Sequence, residues 1–224
     1  MKRFISKSYR NLLISLLLVF LTYPVMVNLG VIQRTLEFIF VAMVLLSGAR
    51  LAYERSVRFW LYIFTAVSYV VISTLYAFDS SNPHLLLAKA GLTFFFLIMV
   101  AYLIFLDVFT KTKVSINDRL YGAISLYLLI GMIFANLFLL INILYPGSFT
   151  CGSCGQDLNY TFKDGDHVYF SFTTLTTVGY GDILATNPFA GMAATLESIV
   201  GQMYTAIVIA RLVGLHLMEP QNPK

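Results

Sequence analysis

Thr177-Val178-Gly179-Tyr180-Gly181-Asp182 is the stretch that decides how this chain is read. For successive backbone carbonyls to point the same way, alternate residues must take unusual dihedrals, including positive φ. Gly179 and Gly181 take them at little steric cost. A column of aligned carbonyls can replace the hydration shell of a bare alkali cation without placing a fixed charge beside it. Thr177 can add its hydroxyl oxygen at one end of that column, and Val178 and Tyr180 can pack outward to brace it.

Immediately before the strand, residues 167–176 form an apolar, Thr-rich segment of about ten residues. At about 1.5 Å per residue a helix of that length reaches only halfway across a bilayer. A half-helix followed by irregular backbone is tolerated at membrane depth only where it is buried in protein or lines a watery cavity. Two long apolar runs, 121–144 and 188–215, flank the unit. The stretch 145–166, rich in Gly, Asn, Asp and Ser, joins the first run to the half-helix, and a loop of this length is where function tends to sit. The last third of the chain therefore reads as span, half-helix, non-helical strand, span.

Composition places the whole chain in a membrane. Of 224 residues, 58% are hydrophobic and 12% are charged, about half the charged share of an ordinary soluble domain. Apolar runs at 11–28, 36–51, 60–77, 85–109, 121–144 and 188–215 predict six spans, the second being the shortest. The first run follows Met1-Lys2-Arg3, but its core is too long for a signal peptide and no small-residue cleavage site follows, so it reads as a retained helix. With the N-terminus inside, the inner segments hold Lys2, Arg3, Lys7, Arg10, Arg50, Arg55, Arg58, Lys111, Lys113, Arg119, Arg211 and Lys224. The outer loops hold only Arg34 and Lys163, and Lys89 falls within the fourth run. This bias predicts cytoplasmic termini in a multi-pass protein of the plasma or inner membrane. The net charge of +4 is then a matter of topology, not a surface for nucleic acid.

At the strand the chain resembles the potassium channel superfamily, whose signature is TVGYG followed by Asp. The resemblance runs back through Tyr169-Phe170-Ser171-Phe172-Thr173-Thr174-Leu175-Thr176, similar to the aromatic-pair and Thr-Thr pattern of bacterial potassium channels. It runs forward to Gly201, where those channels commonly carry a flexible hinge, and covers roughly residues 120–215. It implies a selectivity filter at Thr177, Val178, Gly179, Tyr180 and Gly181, with K+ held at Thr177, Val178, Gly179 and Tyr180 and with Thr176 and Asp182 in support. One chain supplies one copy of the filter, so the resemblance implies a homotetramer, with K+ as permeant ion and no other cofactor.

The chain also departs from that pattern. Many bacterial pores have a Glu behind the filter where this chain has Thr173, so Asp182 must find other support, and the Tyr169 hydroxyl stands where the family often has a Trp. Glu197 is a charge in an otherwise apolar run and thus a candidate functional residue. Ser198, Gln202, Thr205 and Ile209 share a helical stripe with Gly201 and predict the wall of a water-filled cavity. Glu197 lies off that stripe and is expected against the back of the pore helix, near Thr173 or Thr174; the rival placement is a cavity-facing carboxylate that concentrates cations.

The fourth run carries Lys89 alone, where voltage-gated relatives resemble a ladder of Arg or Lys at every third residue. One charge yields about 2.3 kcal/mol per 100 mV, which predicts weak or absent voltage dependence. Cys151 and Cys154 form a CxxC in the outer loop and predict a disulfide within the chain or between neighbouring subunits. Two other readings stand beside potassium conduction. One is a membrane thiol oxidoreductase using that CxxC, which leaves the filter string unexplained. The other is a less selective cation channel, against which the intact Tyr180 argues. No nucleophile-base pair, phosphate loop or metal-ligand cluster occurs in the sequence, which argues against an enzyme. The expected fold is all-α: a four-helix membrane domain at 1–118, a pore domain with a re-entrant helix at 119–218, and a short cytoplasmic tail at 219–224.

Overall fold

A computed structural model describes residues 9–18, 20–21, 56–79, 82–110, 116–151 and 165–217. Within them lie helices α1 (Tyr9–Leu18), α2 (Ser56–Phe78), α3 (Pro83–Thr110), α4 (Ile116–Leu144), α5 (Asp166–Leu175) and α6 (Pro188–Leu217), with two short strands, β1 (Phe149–Cys151) and β2 (Ile183–Ala185). Three stretches, Pro83–Leu106, Asn117–Leu144 and Pro188–Arg211, are long and apolar enough to cross a membrane. They coincide with the predicted runs 85–109, 121–144 and 188–215. The run 60–77 lies within α2, the run 11–28 is helical over its described part, and the run 36–51 lies outside the described residues.

Local chemistry fixes where two of the long helices begin. Asn82-Pro83 and Asn187-Pro188 open α3 and α6 in the same way. The Asn82 side-chain oxygen accepts from the His84 amide at 3.0 Å and Asn187 from the Phe189 amide at 2.8 Å. Each cap satisfies an amide that the first turn leaves free, and proline at the first helical position loses nothing by lacking one. Hydroxyls inside the apolar helices bond one turn back: Thr74 to Val70 O, Thr93 to Lys89 O and Ser125 to Tyr121 O. They therefore place no unsatisfied polar group in an apolar surround.

The helices meet in two apolar clusters. In the first, Tyr9, Leu12 and Leu16 of α1 pack with Phe96, Val100 and Ile104 of α3 and with Leu126 and Leu129 of α4. The spacing of three and four on each helix puts one stripe against another. Gly122 lets α3 come close, because a Cβ there would stand 2.5 Å from Val108 Cγ2. The second cluster gathers Phe138 of α4, Phe149 of β1, Phe170 of α5, Ile183 of β2 and Ala190 and Ala193 of α6. Its three rings meet edge to face, with centroids 4.9 Å apart for Phe138 and Phe170 and 5.2 Å for Phe149 and Phe170, the geometry that aromatic quadrupoles favour. Together these contacts hold α5 between α4 and α6.

Outward-facing stripes are apolar too, as with Phe95, Ile98, Tyr102 and Phe105 on α3 and Trp60, Phe64, Val67 and Val71 on α2. Such surfaces suit lipid rather than water. Lys89, half-buried on α3, sets its ammonium over the Tyr76 ring of α2 at 5.2 Å from the centroid.

Candidate functional site

The site is built at the C-terminal end of α5. A helix leaves its last carbonyls without amide partners, and here the amides of the following segment take them. Thr176 N–H donates to Phe172 O at 3.1 Å, Thr177 to Thr174 O at 2.9 Å, and Val178 and Gly179 both to Thr173 O at 2.9 and 3.2 Å. The segment's amides thus turn back toward α5. Thr177, Gly179 and Gly181 have φ of 58°, 54° and 77°, whereas Val178 and Tyr180 between them do not enter the positive region. An alternation of this kind lets successive carbonyls point to one side.

Thr177 was not among the residues the sequence assigned to positive φ. For a β-branched residue that region is a genuine outlier, held only where the surroundings over-determine it at a cost of about 1–3 kcal/mol. Stepping back by two from Gly181 and Gly179 lands on Thr177, and this was the signal available. Residues 176–181 are exposed along the single chain.

On the far side of the strand, Tyr169 Oη donates to Asp182 Oδ2 at 2.7 Å, while Asp182 Oδ1 accepts from the Ile183 amide at 3.0 Å. The same Tyr169 ring stacks on Tyr180, with 6.3 Å between centroids and 2° between planes. One side chain therefore braces the strand on both sides of Gly181. The hydrogen bond to Asp182 pushes the Tyr169 phenol up to about 12 from its ordinary 10.0. A raised folded-state value means that the stabilisation is complete below pH 10 and disappears as pH rises through about 12. Replacing Tyr169 by Phe should leave thermal stability almost unchanged, since the bond is exposed, yet lower any cation selectivity of the site a few-fold. Paired flux and melting measurements on the variant check this.

Beyond Asp182, β2 pairs antiparallel with β1, Ile183 opposite Cys151 and Ala185 opposite Phe149. The segment is thereby tied to the start of the loop that follows α4. Cys151 is disulfide-bonded; Cys154 and the stretch 152–164 lie outside the described residues.

Behind α5 stands a polar seam. Glu197 is fully buried and meets Ser171 Oγ, which also bonds Gly131 O of α4 at 2.7 Å. Glu197 thus lies against α5, as expected, but its partner there is Ser171, one turn before Thr174, while Thr173 Oγ1 bonds Phe170 O within its own helix. The cavity-facing placement is also corrected, because Glu197 has no exposed surface. Thr174 O instead accepts from Ser198 Oγ at 3.3 Å, and Leu175 O from Tyr127 Oη at 3.5 Å. Of the predicted stripe, Gln202, Thr205 and Ile209 face outward from the chain, whereas Ser198 is half-buried and turned to α5. Thr176 caps α5 and bonds Phe172 O through its hydroxyl.

Gly201 has a reason of its own. A Cβ there would lie 2.3 Å from Leu175 O, a backbone atom of α5. α6 runs through this position without interruption, so the glycine permits contact between helices. Among the described residues no group of three or more His, Cys, Asp or Glu could hold a metal ion.

Residues 123–215, from α4 to α6 and including the whole site, match the family model of an ion channel. No curated protein and no solved structure gives a significant match. The match and the apolar helices support an ion channel in a membrane.

Proposed function

We propose that four copies of this chain form a potassium-selective channel that conducts passively through a filter at residues 177–181. The observation that carries this reading is the alternation of positive φ at Thr177, Gly179 and Gly181, together with amides turned back to α5. In a fourfold arrangement such strands line an axis with carbonyl oxygens, which replace the water of K+ without a fixed charge. The exposure of the strand in a single chain supports the need for neighbours. In this reading α5 is a re-entrant pore helix, α4 and α6 are the outer and inner helices, and the chain has six spans with both termini cytoplasmic. K+ is the permeant ion, no cofactor is required, and no reaction is catalysed.

Gating by voltage is weak in this reading. The fourth span offers Lys89 as its one basic residue, and one charge moved across the whole field contributes about 2.3 kcal/mol per 100 mV. The conductance-voltage relation of the reconstituted channel should be shallow, and a steep one would overturn this part of the proposal. The central test is ion flux from liposomes holding the purified chain, with Na+ as control. Rapid K+ flux with little Na+ flux is the expected result; equal fluxes would favour a non-selective cation channel.

A further inference from the structure

Ser171 and Glu197 pose a problem of proton counting. Both side chains are fully buried, with no exposed surface. Ser171 Oγ lies within hydrogen-bond distance of two oxygens at once, Glu197 Oε1 and the backbone Gly131 O. A serine hydroxyl has one proton and a backbone carbonyl has none. The contact with Gly131 must therefore use the serine proton. The contact with Glu197 then needs a second proton, and only the carboxyl group can carry it.

The opposite arrangement fails on two counts. Were Glu197 a carboxylate accepting from Ser171, the serine and Gly131 oxygens would face each other at 2.7 Å with lone pairs only. A full negative charge would also be buried with its second oxygen unsatisfied, because Glu197 Oε2 has no hydrogen-bond partner among the described residues. Burial of an unpaired charge is far more costly than burial of a neutral acid.

We infer that Glu197 is a neutral carboxylic acid donating to Ser171 Oγ, whose own proton goes to Gly131 O, so that a two-bond relay of fixed direction ties α6 to α5 and α5 to α4. The relay rests on the channel reading for its purpose: Ser171 and Glu197 are positioning residues that hold the helix on which the filter is mounted. Gly131 is suited to its end of the relay. A Cβ there would lie 2.5 Å from the Phe172 ring, so the missing side chain is what lets α5 approach close enough for Ser171 to reach the carbonyl.

Glutamine is the informative replacement. Its amide can give a proton to Ser171 in place of the acid, while its oxygen takes the position that lacks a partner, so Glu197→Gln preserves the direction of both bonds. Glu197→Ala removes the donor, and Glu197→Asp withdraws it by one methylene. Ser171→Ala strips both Gly131 O and Glu197 of their partner.

The test is infrared spectroscopy of the full chain in lipid at neutral pH, read alongside thermal melting and ion flux. The native protein should show a protonated-carboxyl carbonyl band that is absent from Glu197→Gln and shifted in Ser171→Ala. Glu197→Gln should keep the native melting profile and K+ to Na+ flux ratio, whereas Glu197→Asp and Glu197→Ala should lower that ratio about tenfold. A carboxylate band lost in Glu197→Gln, with no carbonyl band in the native chain, would overturn the inference. So would a Gln variant as impaired as the Ala variant. The infrared result needs no conduction, so an absent K+ flux with the carbonyl band present would count against the channel reading alone. Should Glu197→Ala fail to fold, the native and Gln spectra still decide.

Discussion

Potassium flux through liposomes carrying Gly179→Ala should fall to the level of empty vesicles, while the protein still folds and assembles. The residue stands at φ 54°, in the left-handed region, where a Cβ crowds its own following carbonyl. That crowding costs about 1–2 kcal/mol in each chain. Nothing else lies within 4 Å of the Cβ position in the chain, so the penalty is one of backbone conformation and not of collision. The cheapest relief is for the peptide to rotate out of the left-handed region, which turns a carbonyl out of the column. In the proposed tetramer four chains would face this choice together, and the combined strain of about 4–8 kcal/mol would lower the conducting population by at least about 100-fold. Flux and sizing of the detergent-solubilised assembly check the two halves of the prediction. Undiminished K+ flux would mean that the carbonyls of this strand do not form the conducting path.

The second large effect is at Gly201. An added methyl group would stand 2.3 Å from Leu175 O, and this atom belongs to the backbone of α5, which cannot swing aside as a side-chain end could. Gly201→Ala should force α6 away from α5, at about 1–3 kcal/mol per chain by the usual scale of overpacking. The displaced α5 carries the Thr174 and Leu175 carbonyls out of reach of Ser198 and Tyr127. The expected outcome is a lower melting temperature together with a fall in K+ selectivity. A glycine needed only as a hinge predicts something else: altered opening with stability and the K+ to Na+ ratio preserved. Gly91→Ala serves as the control, because it lies in α3 with nothing within 4 Å of its Cβ position. There alanine should be neutral or stabilising by up to about 1 kcal/mol.

Both predictions concern glycines, and the sequence distinguished them unequally. Gly179 sits in a stretch whose local composition already demands positive φ, so its role is legible without knowing what surrounds it. Gly201 lies in an ordinary apolar helix, and the hinge suggested by resemblance says nothing of what its missing Cβ would touch. Leu175 is far away along the chain, and only the packing of α5 on α6 brings its carbonyl to that spot.

Glu197 shows the same division. A lone acid in an apolar run marks itself as functional, and helical periodicity separated it from the stripe of Gln202, Thr205 and Ile209. Its partner was not legible, because Ser171 and Thr173 stand on different faces of one short helix and the rotation of α5 about its axis is set by packing. The rings of Phe138, Phe149 and Phe170 set that rotation, and they come from three separate elements.

The apolar runs at 85–109, 121–144 and 188–215, the half-length of α5 and the glycine pattern of the strand are all legible along the chain, because each follows from local hydropathy, length or backbone freedom. Tertiary structure alone decided the close seat of Gly201 on Leu175 and the joining of Glu197, Ser171 and Gly131. Ser171 lies 40 residues from Gly131 and 26 from Glu197, and contacts at such separations are fixed by how helices pack, which no local pattern records.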